Sequence, residues 1–164
     1  MNINALLSEN GKLVAGLGPI VPSTSTPDYV SLKGYDKLTV ILLVLNTTTV
    51  TGSAITLKQA TDVGNSLSDE KALAFSTMRA NTDCAATDTL VDTAVTSNTF
   101  TTGTTNSKQL MYEITVKPTD LDIANGFDCV RLGTGNAVNA TVAAFYYLWP
   151  AKSGKATPVS AILD

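Results

Sequence analysis

The sequence predicts an all-β protein: a single antiparallel β-sandwich of jelly-roll type with extended N- and C-terminal arms. Three observations support this prediction. Charged residues make up only 15% of the 164 residues, against roughly 25% in a typical soluble domain. About one residue in seven is threonine, whose β-branched side chain favours pleated, half-buried backbone. Short apolar or alternating segments follow one another with turn-rich links and no long helical pattern, which is typical of sandwiches.

A chain of this length has room for one domain, and we divide it into three parts. Residues 1–31 are expected to form an extended N-terminal arm. Residues 32–150 are expected to form the β-sandwich, and residues 151–164 a C-terminal arm. The sequence contains no internal repeat of the kind that is typical of a solenoid or a propeller.

The N-terminal arm contains the stretch GLGPIVPSTSTPDY, residues 16–29. Its three prolines and two glycines exclude a regular helix and a central strand. The arm is nevertheless too apolar for a free tail, so we expect it to lie against another surface. Three of its apolar side chains are candidate partner-binding residues: Val14, Leu17 and Ile20.

The sandwich segment contains a series of predicted strands. KLTVILLVLN is almost continuously apolar, as expected of a central strand that is covered on both faces. QLMYEITVK alternates apolar and polar residues, and Pro118 ends it before PTDLD, which predicts a single helical turn. KALAFSTMRA also suits a short helix, but it lacks a helix start signal, so we favour a strand. The remaining predicted strands are SAITLKQATDV, TAVTSNTFTT, GFDCVRLG and NATVAAFYYLW.

The last predicted strand carries the aromatic cluster FYYLW, residues 145–149. Alternate residues of a strand face opposite sides, so Phe145, Tyr147 and Trp149 share one face, and Tyr146 and Leu148 share the other. We expect one face to be core and the other an interface, because tyrosine and tryptophan combine apolar bulk with a polar group. Tyr147 and Trp149 are therefore candidate partner-binding residues. A platform that stacks on sugars is the alternative.

The C-terminal arm, PAKSGKATPVSAILD, follows this strand directly. Pro150 and Pro158 are expected to keep it from continuing as a strand of the sheet. Its last residues supply apolar anchors for a neighbouring surface. These candidate partner-binding residues are Val159, Ile162 and Leu163.

The side chains that most enzymes use are scarce in this chain. It contains no histidine, the commonest general base and metal ligand, and no phosphate-binding glycine loop with its lysine. Paired carboxylates for glycoside hydrolysis remain an alternative, for example Asp83 with Asp88 or Asp92. Two distant cysteines, Cys84 and Cys129, are too few for a zinc site and are expected to be free. We therefore expect a protein that is not an enzyme and has no cofactor.

One polar stretch, DLDIANGFD, has residue types that bind calcium. Its oxygen-bearing side chains belong to Asp120, Asp122, Asn125 and Asp128. The spacing departs from that of a calcium loop by one residue. A polar turn, with positive φ at Asn-Gly and an aspartate cap, explains the stretch better. We therefore expect no metal and keep these four residues as weak candidates.

Charge and hydropathy exclude two classes of partner. The net charge is −3 and the lysines and arginines are scattered singly, which argues against a nucleic-acid-binding face. The longest apolar run has eight residues, far fewer than the roughly 20 that span a membrane as a helix. The N-terminus MNINALLSENGK has no basic leader before an apolar block, so we expect folding in a cytoplasm.

Several segments taken together resemble a family of small virion structural proteins of tailed bacteriophages. The resemblance covers residues 30–164. It is carried by VSLKGYDKLTVILLV, ITLKQATDVG, EKALAFSTM, VTSNTF, YEITV, LDIANGFDCVRL and ATPVSAILD, in this order.

This resemblance implies a decoration, or cement, protein that stabilises the capsid by binding the lattice of the major capsid protein. It implies assembly in the host bacterial cytoplasm and a final location on the capsid surface of the virion. Apolar arms and an aromatic strand predict self-association, with a trimer favoured. The alternatives are another virion component, such as a neck, tail or head fibre protein, and a carbohydrate-binding jelly-roll adhesin.

Overall fold

The structure, a computed structural model, describes residues 6–64, 69–151 and 161–162. Of these residues, 48% lie in strands and 7% in helices, which confirms the all-β prediction. Two antiparallel sheets pack together as a sandwich. The jelly-roll connectivity and the domain boundaries at residues 31 and 151 stay predictions.

Within the described ranges the chain forms eleven strands and one short α-helix, α1 (Leu7–Asn10). The strands are β1 (Lys12–Ile20), β2 (Val30–Ser31), β3 (Tyr35–Asn46), β4 (Ala54–Ala60), β5 (Lys71–Ala72), β6 (Thr77–Asn81), β7 (Val91–Ala94), β8 (Thr99–Thr101), β9 (Gln109–Val116), β10 (Cys129–Thr134) and β11 (Ala140–Ala151). Two single turns of 3-10 helix, Pro118–Asp120 and Ile123–Asn125, follow β9. The helical turn predicted after Pro118 is therefore confirmed.

One sheet has six strands in the order β1-β11-β3-β9-β6-β7. The other has the order β2-β10-β4-β5, and β8 pairs with β4 beside β5. The two longest strands, β3 and β11, have twelve residues each and lie side by side in the six-stranded sheet. Their register, with Val142 opposite Val44 and Tyr146 opposite Val40, aligns the two apolar patterns along their whole length.

The core lies between the two sheets. Alternate residues of β11 face it, and both Tyr146 and Leu148 are fully buried. The Tyr146 hydroxyl accepts a hydrogen bond from the main-chain N–H of Leu132, 2.9 Å away in the opposite sheet, which satisfies a buried polar group. The largest fully buried side chains are Tyr35, Tyr146, Leu38, Leu42, Ile55, Leu57, Leu110, Ile114, Leu132, Leu148, Val30 and Val40.

The prediction that the KLTVILLVLN strand is covered on both faces is wrong. β3 is central in its sheet, but only one of its faces packs against the second sheet. Leu42 and Val44 are buried on that face, whereas Leu43 and Leu45 are 37% and 45% exposed on the other. The apolar run therefore fills the core with one half of its residues and presents the other half to the exterior.

The KALAFSTMRA segment contains strand and no helix, as favoured from the sequence, but it is not one strand. β5 pairs with β4 in one sheet, and β6 pairs with β9 in the other. The residues between them cross from sheet to sheet, and Phe75 packs against the core in this crossover.

Both ends of the chain contact its own sandwich. β1 lies in the segment expected to form the N-terminal arm, and it pairs antiparallel with β11. At the other end, the Ala161 carbonyl accepts a hydrogen bond from the Ser31 N–H at 2.7 Å, and Ala161 is fully buried. β11 continues through Pro150 to Ala151, one residue beyond the end expected from the proline.

Cys129 is buried at the start of β10, and Cys84 is half-buried in a turn. Within the described ranges neither cysteine forms a disulfide. No helix among the described residues has the length and hydropathy needed to cross a membrane.

Candidate functional site: the outer face of the six-stranded sheet

The side of the six-stranded sheet that points away from the core is apolar across four adjacent strands. We call this surface the outer face. Strand alternation places its residues opposite the buried set, and the register brings them together. Its apolar members are Leu13, Ala15, Ile41, Leu43, Leu45, Met111, Ala143, Phe145, Tyr147 and Trp149.

Two cross-strand rows form the middle of the outer face. In the first, Leu43 lies between Ala143 of β11 and Met111 of β9. In the second, Phe145 lies between Ala15 of β1 and Ile41 of β3. Directly opposed side chains on one face of a sheet contact each other, so the two rows make a continuous apolar surface.

This surface is accessible. Leu13 is 52% exposed, in addition to Leu43 and Leu45. Scattered single apolar residues are normal on a protein surface, but a contiguous set that spans several strands is characteristic of an interaction site. The outer face therefore has the composition of a protein-binding surface.

A shallow groove of about 300 Å³ lies at one end of the outer face. Its apolar lining residues on the outer face are Leu43, Leu45, Met111 and Ala143, and Pro19 of β1 also lines it. Gln109, Thr141 and Cys84 are the polar groups at its margin, and no described lining residue carries a formal charge. Such a groove accepts an apolar side chain from a partner and has no group that would hold a charged ligand.

The other end of the outer face is aromatic. The rings of Tyr147 and Trp149 are 6.2 Å apart between centroids, at an angle of 23°. The Lys37 ammonium lies 4.9 Å from the Trp149 ring centroid, within the range of a cation–π interaction. The Tyr147 hydroxyl donates to the Leu7 carbonyl at 3.2 Å, so α1 packs at this end. Burial raises the pKa of the Tyr147 hydroxyl above its usual value.

Charged groups occupy only the margins of this face. Lys37 lies opposite Trp149 at the aromatic end. Glu113 lies between Ile41 and Arg79, toward the β6 side of the sheet. An uncharged centre with a polar rim is the arrangement found at protein–protein interfaces.

The sequence-predicted partner-binding residues fall into three groups in the structure. Tyr147 and Trp149 lie on the outer face, as their strand alternation predicted. Val14, Leu17 and Ile20 lie opposite inner-face residues of β11 and point toward the core. Leu17 is buried there because β1 is an edge strand of the chain's own sheet, so this side chain is not available to a partner. Val14 and Ile20 are half-buried, and their assignment as partner-binding residues stays a prediction.

The C-terminal candidates are only partly described. Ile162 is half exposed beside the buried Ala161 and lines a shallow depression with Leu13 and Val14. Val159 and Leu163 lie outside the described residues.

Sequence reasoning missed most of the outer face, namely Leu13, Ile41, Leu43, Leu45 and Met111. A usable signal was present in the neighbouring strand. QLMYEITVK alternates Met, Glu and Thr on one side, and this mixture predicts a solvated face. Residues that lie opposite each other on paired strands point to the same face of the sheet. Every second residue of the KLTVILLVLN run therefore has to lie on that solvated face.

The acidic stretch after β9 is a polar turn. The Asp120 carboxylate accepts the Lys117 N–H at 2.8 Å and caps the helical turn. The Asp122 carboxylate is paired with Lys71 and accepts from the Asn125 amide at 2.8 Å. The hydrogen bond from Lys71 is the main cause that lowers the pKa of Asp122. Gly126 has φ +81°, as predicted for Asn-Gly.

This geometry bears on the weak metal candidates. Asp128 accepts from the Cys129 thiol at 3.1 Å, so the three aspartates have separate local partners. The described residues contain no cluster of three or more acidic or cysteine side chains that is placed to hold a metal ion.

Two of the carboxylates considered for glycoside hydrolysis, Asp83 and Asp92, have cation partners. Asp83 is paired with Lys108, and the hydrogen bond from this lysine is the main cause that lowers the pKa of Asp83. Asp92 is paired with Arg79 at 2.8 Å. A general acid for this reaction needs a raised pKa, so the environment of Asp83 works against that role.

A buried ionic cluster lies on the second sheet. Both oxygens of the Glu70 carboxylate are occupied, one by Lys58 and the other by Arg131. The Tyr29 hydroxyl also donates to Glu70 at 2.5 Å, and the Arg131 guanidinium lies 5.1 Å from the Tyr29 ring centroid. Because every member contacts another, the cluster joins four segments of the chain and offers no carboxylate or hydroxyl that is placed to act as an acid or base.

Comparisons with known proteins give no relative: no family model, no curated protein and no solved structure matches this chain.

Proposed function

We propose that this chain is a non-enzymatic structural protein of a tailed-phage virion, which decorates and stabilises the capsid by binding the lattice of the major capsid protein. The observation that carries the proposal is the outer face: an accessible, largely apolar surface across four paired strands, with the charged side chains Lys37 and Glu113 at its borders. A sandwich needs no such surface for its own stability, so a protein partner is its natural use.

The outer face suits attachment to a repeating shell. It lies on paired strands, so it is held in one shape before binding, and little conformational entropy is lost on contact. Many copies that bind a lattice through modest individual contacts stabilise the shell collectively. The sequence motifs that resemble phage virion proteins are the reason to propose a phage capsid as the particle. The outer face is the surface through which we propose that the chain attaches to it.

The test is co-sedimentation with undecorated capsid shells. We expect the wild-type chain to bind, and we expect the double variant Leu43→Asp/Leu45→Asp to bind at least about tenfold more weakly. Both side chains lie outside the core, so the variant should still fold, although it loses cross-strand contacts and should melt at a lower temperature. Binding is therefore compared well below the melting temperature of the variant. Val138→Asp, at an exposed valine in the loop before β11, is the matched control and should bind normally.

Two results would count against this proposal. Failure of the wild-type chain to bind any region of the shell would remove the decoration role and favour a neck, tail or head fibre location. Equal binding by the double variant and the control would show that the outer face is not the contact.

A second candidate function is carbohydrate binding at the aromatic end of the outer face. The parallel rings of Tyr147 and Trp149 favour it, because sugars stack on aromatic faces. Lys37 already covers one face of the Trp149 ring, which leaves less aromatic surface for a sugar. A glycan-binding screen with the wild-type chain and Trp149→Ala tests this candidate. Carbohydrate binding at this site predicts a glycan that the wild type binds and the variant does not.

A further inference from the structure

We infer that two copies of this chain pair edge to edge through β7, in antiparallel orientation about a two-fold axis at Thr93. The two six-stranded sheets then join into one continuous sheet. This inference concerns how copies of the chain contact each other, and it does not rest on the proposed function.

The first observation is that β7 is an edge strand with outward-facing main-chain groups. Val95 donates its N–H to the Ser76 carbonyl at 2.9 Å, so these residues form a hydrogen-bonded pair. Such pairs alternate along an antiparallel ladder, so Thr93 and Val91 also bond inward to β6. The N–H and C=O groups of Asp92 and Ala94 therefore point away from the sheet.

The hydrogen bonds on the other side of β6, where it pairs with β9, lead independently to the same assignment of outward-facing residues in β7. Asn46 donates its N–H to the Lys108 carbonyl at 2.9 Å, which places Tyr112 among the residues bonded to β3. Glu113 is then bonded to β6, through Arg79. Arg79 faces β9, so Asp92 opposite it on β7 faces the free edge.

The second observation is that the other sheet edges are short or covered by the chain itself. β1 has two register irregularities and a proline, and its Gly16 carbonyl accepts from the Asp28 N–H at 3.1 Å. β2 has two residues, and the Ser31 N–H is bonded to Ala161. β5 and β8, of two and three residues, share one edge of β4. Such features prevent edge-to-edge pairing. β7, with four residues, is longer than β2, β5 and β8 and has neither proline, lysine nor a bulge, and its charged side chain, Asp92, is paired with Arg79.

The third observation is that the sequence of this edge is self-complementary. Residues 91–95 read VDTAV. With the two-fold axis at Thr93, each Val91 lies opposite a Val95, and each Asp92 opposite an Ala94. The outward groups of Asp92 and Ala94 then form two hydrogen-bonded pairs, and the two threonines face each other, which is a favourable cross-strand pair.

Charge selects this register over a neighbouring one. If the axis lay at Asp92, the outward-facing main-chain groups of the two strands could still bond to each other. The two Asp92 carboxylates would then lie directly opposite, and this repulsion is destabilising. In the proposed register the two Asp92 side chains are separated, and each retains its own Arg79 at 2.8 Å. Val91, which is 60% exposed although it shares a side of the strand with the buried Met78, gains an apolar neighbour.

A second copy is the occupant that these features select. An arbitrary extended peptide would satisfy the two outward pairs, but the match of valine with valine and of threonine with itself arises only when the strand meets its own copy. Antiparallel pairing of one edge closes after two subunits. The inference therefore gives a dimer in place of the trimer expected from the sequence.

The test places opposite charges at Thr93 in two variants. Only in this register does Thr93 of one copy lie opposite Thr93 of the other. Sedimentation velocity on the wild-type chain should show a concentration-dependent dimer. Thr93→Lys and Thr93→Glu should each dissociate about tenfold more readily, because like charges face each other across the axis. An equal mixture of the two variants should restore the dimer. Thr101→Lys, at an exposed threonine of β8, should behave like wild type.

A second variant guards against a folding defect at Thr93. Ala94→Pro removes an outward N–H donor without removing a bond to β6, so a folded protein that is monomeric is expected. A wild-type chain that stays monomeric at every concentration would overturn the inference. A dimer that persists in Thr93→Lys, or that does not re-form when the lysine and glutamate variants are mixed, would also overturn it. Loss of the dimer in Leu43→Asp would overturn it as well, because that result would place the contact on the outer face.

Discussion

The Glu70 carboxylate binds side chains from three other segments of the chain. Its side chain and that of Arg131 are each 9% exposed, so their ion pair is largely removed from water. Lys58 and Tyr29 complete the cluster. When one partner of a buried ionic cluster is removed, the charges that remain lose their compensation, and this costs more than the intact pair contributes.

We therefore expect Glu70→Gln to lower the free energy of unfolding by about 3 kcal/mol. The amide keeps the shape of the side chain but leaves Arg131 without its counter-charge. Urea denaturation of the two proteins measures the difference. Asp92→Asn is the matched control, because the Arg79–Asp92 pair is 56% and 77% exposed and solvent-exposed ion pairs contribute little to stability. An equal loss in both variants would contradict this assignment.

The same carboxylate predicts a pH dependence. Burial acts to raise the pKa of Glu70, but hydrogen bonds from Lys58, Tyr29 and Arg131 outweigh it, so the pKa is lower than usual in the folded protein. The unfolded state therefore takes up the proton first. The stabilisation is complete above the unfolded pKa of about 4.3 and is lost as pH falls through the lower folded value.

We expect the free energy of unfolding to decline as the pH falls from about 5 to about 3, and to decline less steeply in Glu70→Gln. Denaturation at a series of pH values measures both slopes. Parallel slopes would show that Glu70 is not among the groups that titrate on unfolding.

At the scale of elements, β1 shows how an edge strand fits over a bulky core residue. Its register shifts between Ala15 and Leu17, and Gly16 lies at this irregularity. A Cβ atom at Gly16 would overlap the ring of Tyr146, which is fully buried, whereas one at Gly18 would meet open space. The glycine therefore lets the edge strand pass closely over the tyrosine.

We expect Gly16→Ala to destabilise the protein by about 1–3 kcal/mol, because the methyl group has to displace a packed ring. Gly18→Ala, two residues away on the same strand, should change stability by less than about 1 kcal/mol. Thermal melts of the two variants make the comparison. If both alanines are tolerated equally, β1 does not pack on Tyr146 as described.

Strand alternation made part of the molecule predictable from the sequence. In β11 the two faces were assigned correctly, because large residues alternate and the core takes Tyr146 and Leu148. In β3 the uniform apolar run carried no alternation, so its solvent-facing leucines were not recognised. In β1 the prolines and glycines were interpreted as an unpaired arm, although a bulged edge strand tolerates them.

The candidate site was less predictable than the fold for the same physical reason. A binding surface on a sheet is formed by cross-strand neighbours, and these depend on register. Ala143, Leu43 and Met111 are far apart in sequence and come together only when β11, β3 and β9 pair. Tyr147 and Trp149 were found because their signal is contained in one strand.

At the scale of the whole molecule, the described part of the chain is held together by its core, its two sheets and local ion pairs. Asp122, the metal candidate with the most contacts, is paired with Lys71, whose ammonium also lies 3.9 Å from the Phe127 ring centroid. A cation at Asp122 would have to displace this lysine, at a cost in charge and packing.

We therefore expect chelation to leave stability unchanged. Melts with and without EDTA should agree, because the turn after β9 is closed by Lys71, Asn125 and the main chain. A decrease in melting temperature of more than about 5 °C, roughly the effect of 1 kcal/mol in a domain of this size, would restore the calcium interpretation of DLDIANGFD.

The central claim is that this sandwich attaches to a capsid through its outer face, and electron cryo-microscopy of the particle tests it most directly. We expect density of this size and shape on the capsid surface, with the strands of the six-stranded sheet against the major capsid protein and Leu43, Leu45 and Met111 in the contact. Density at the neck or tail, or a sandwich on the shell with its outer face toward solvent, would contradict the claim.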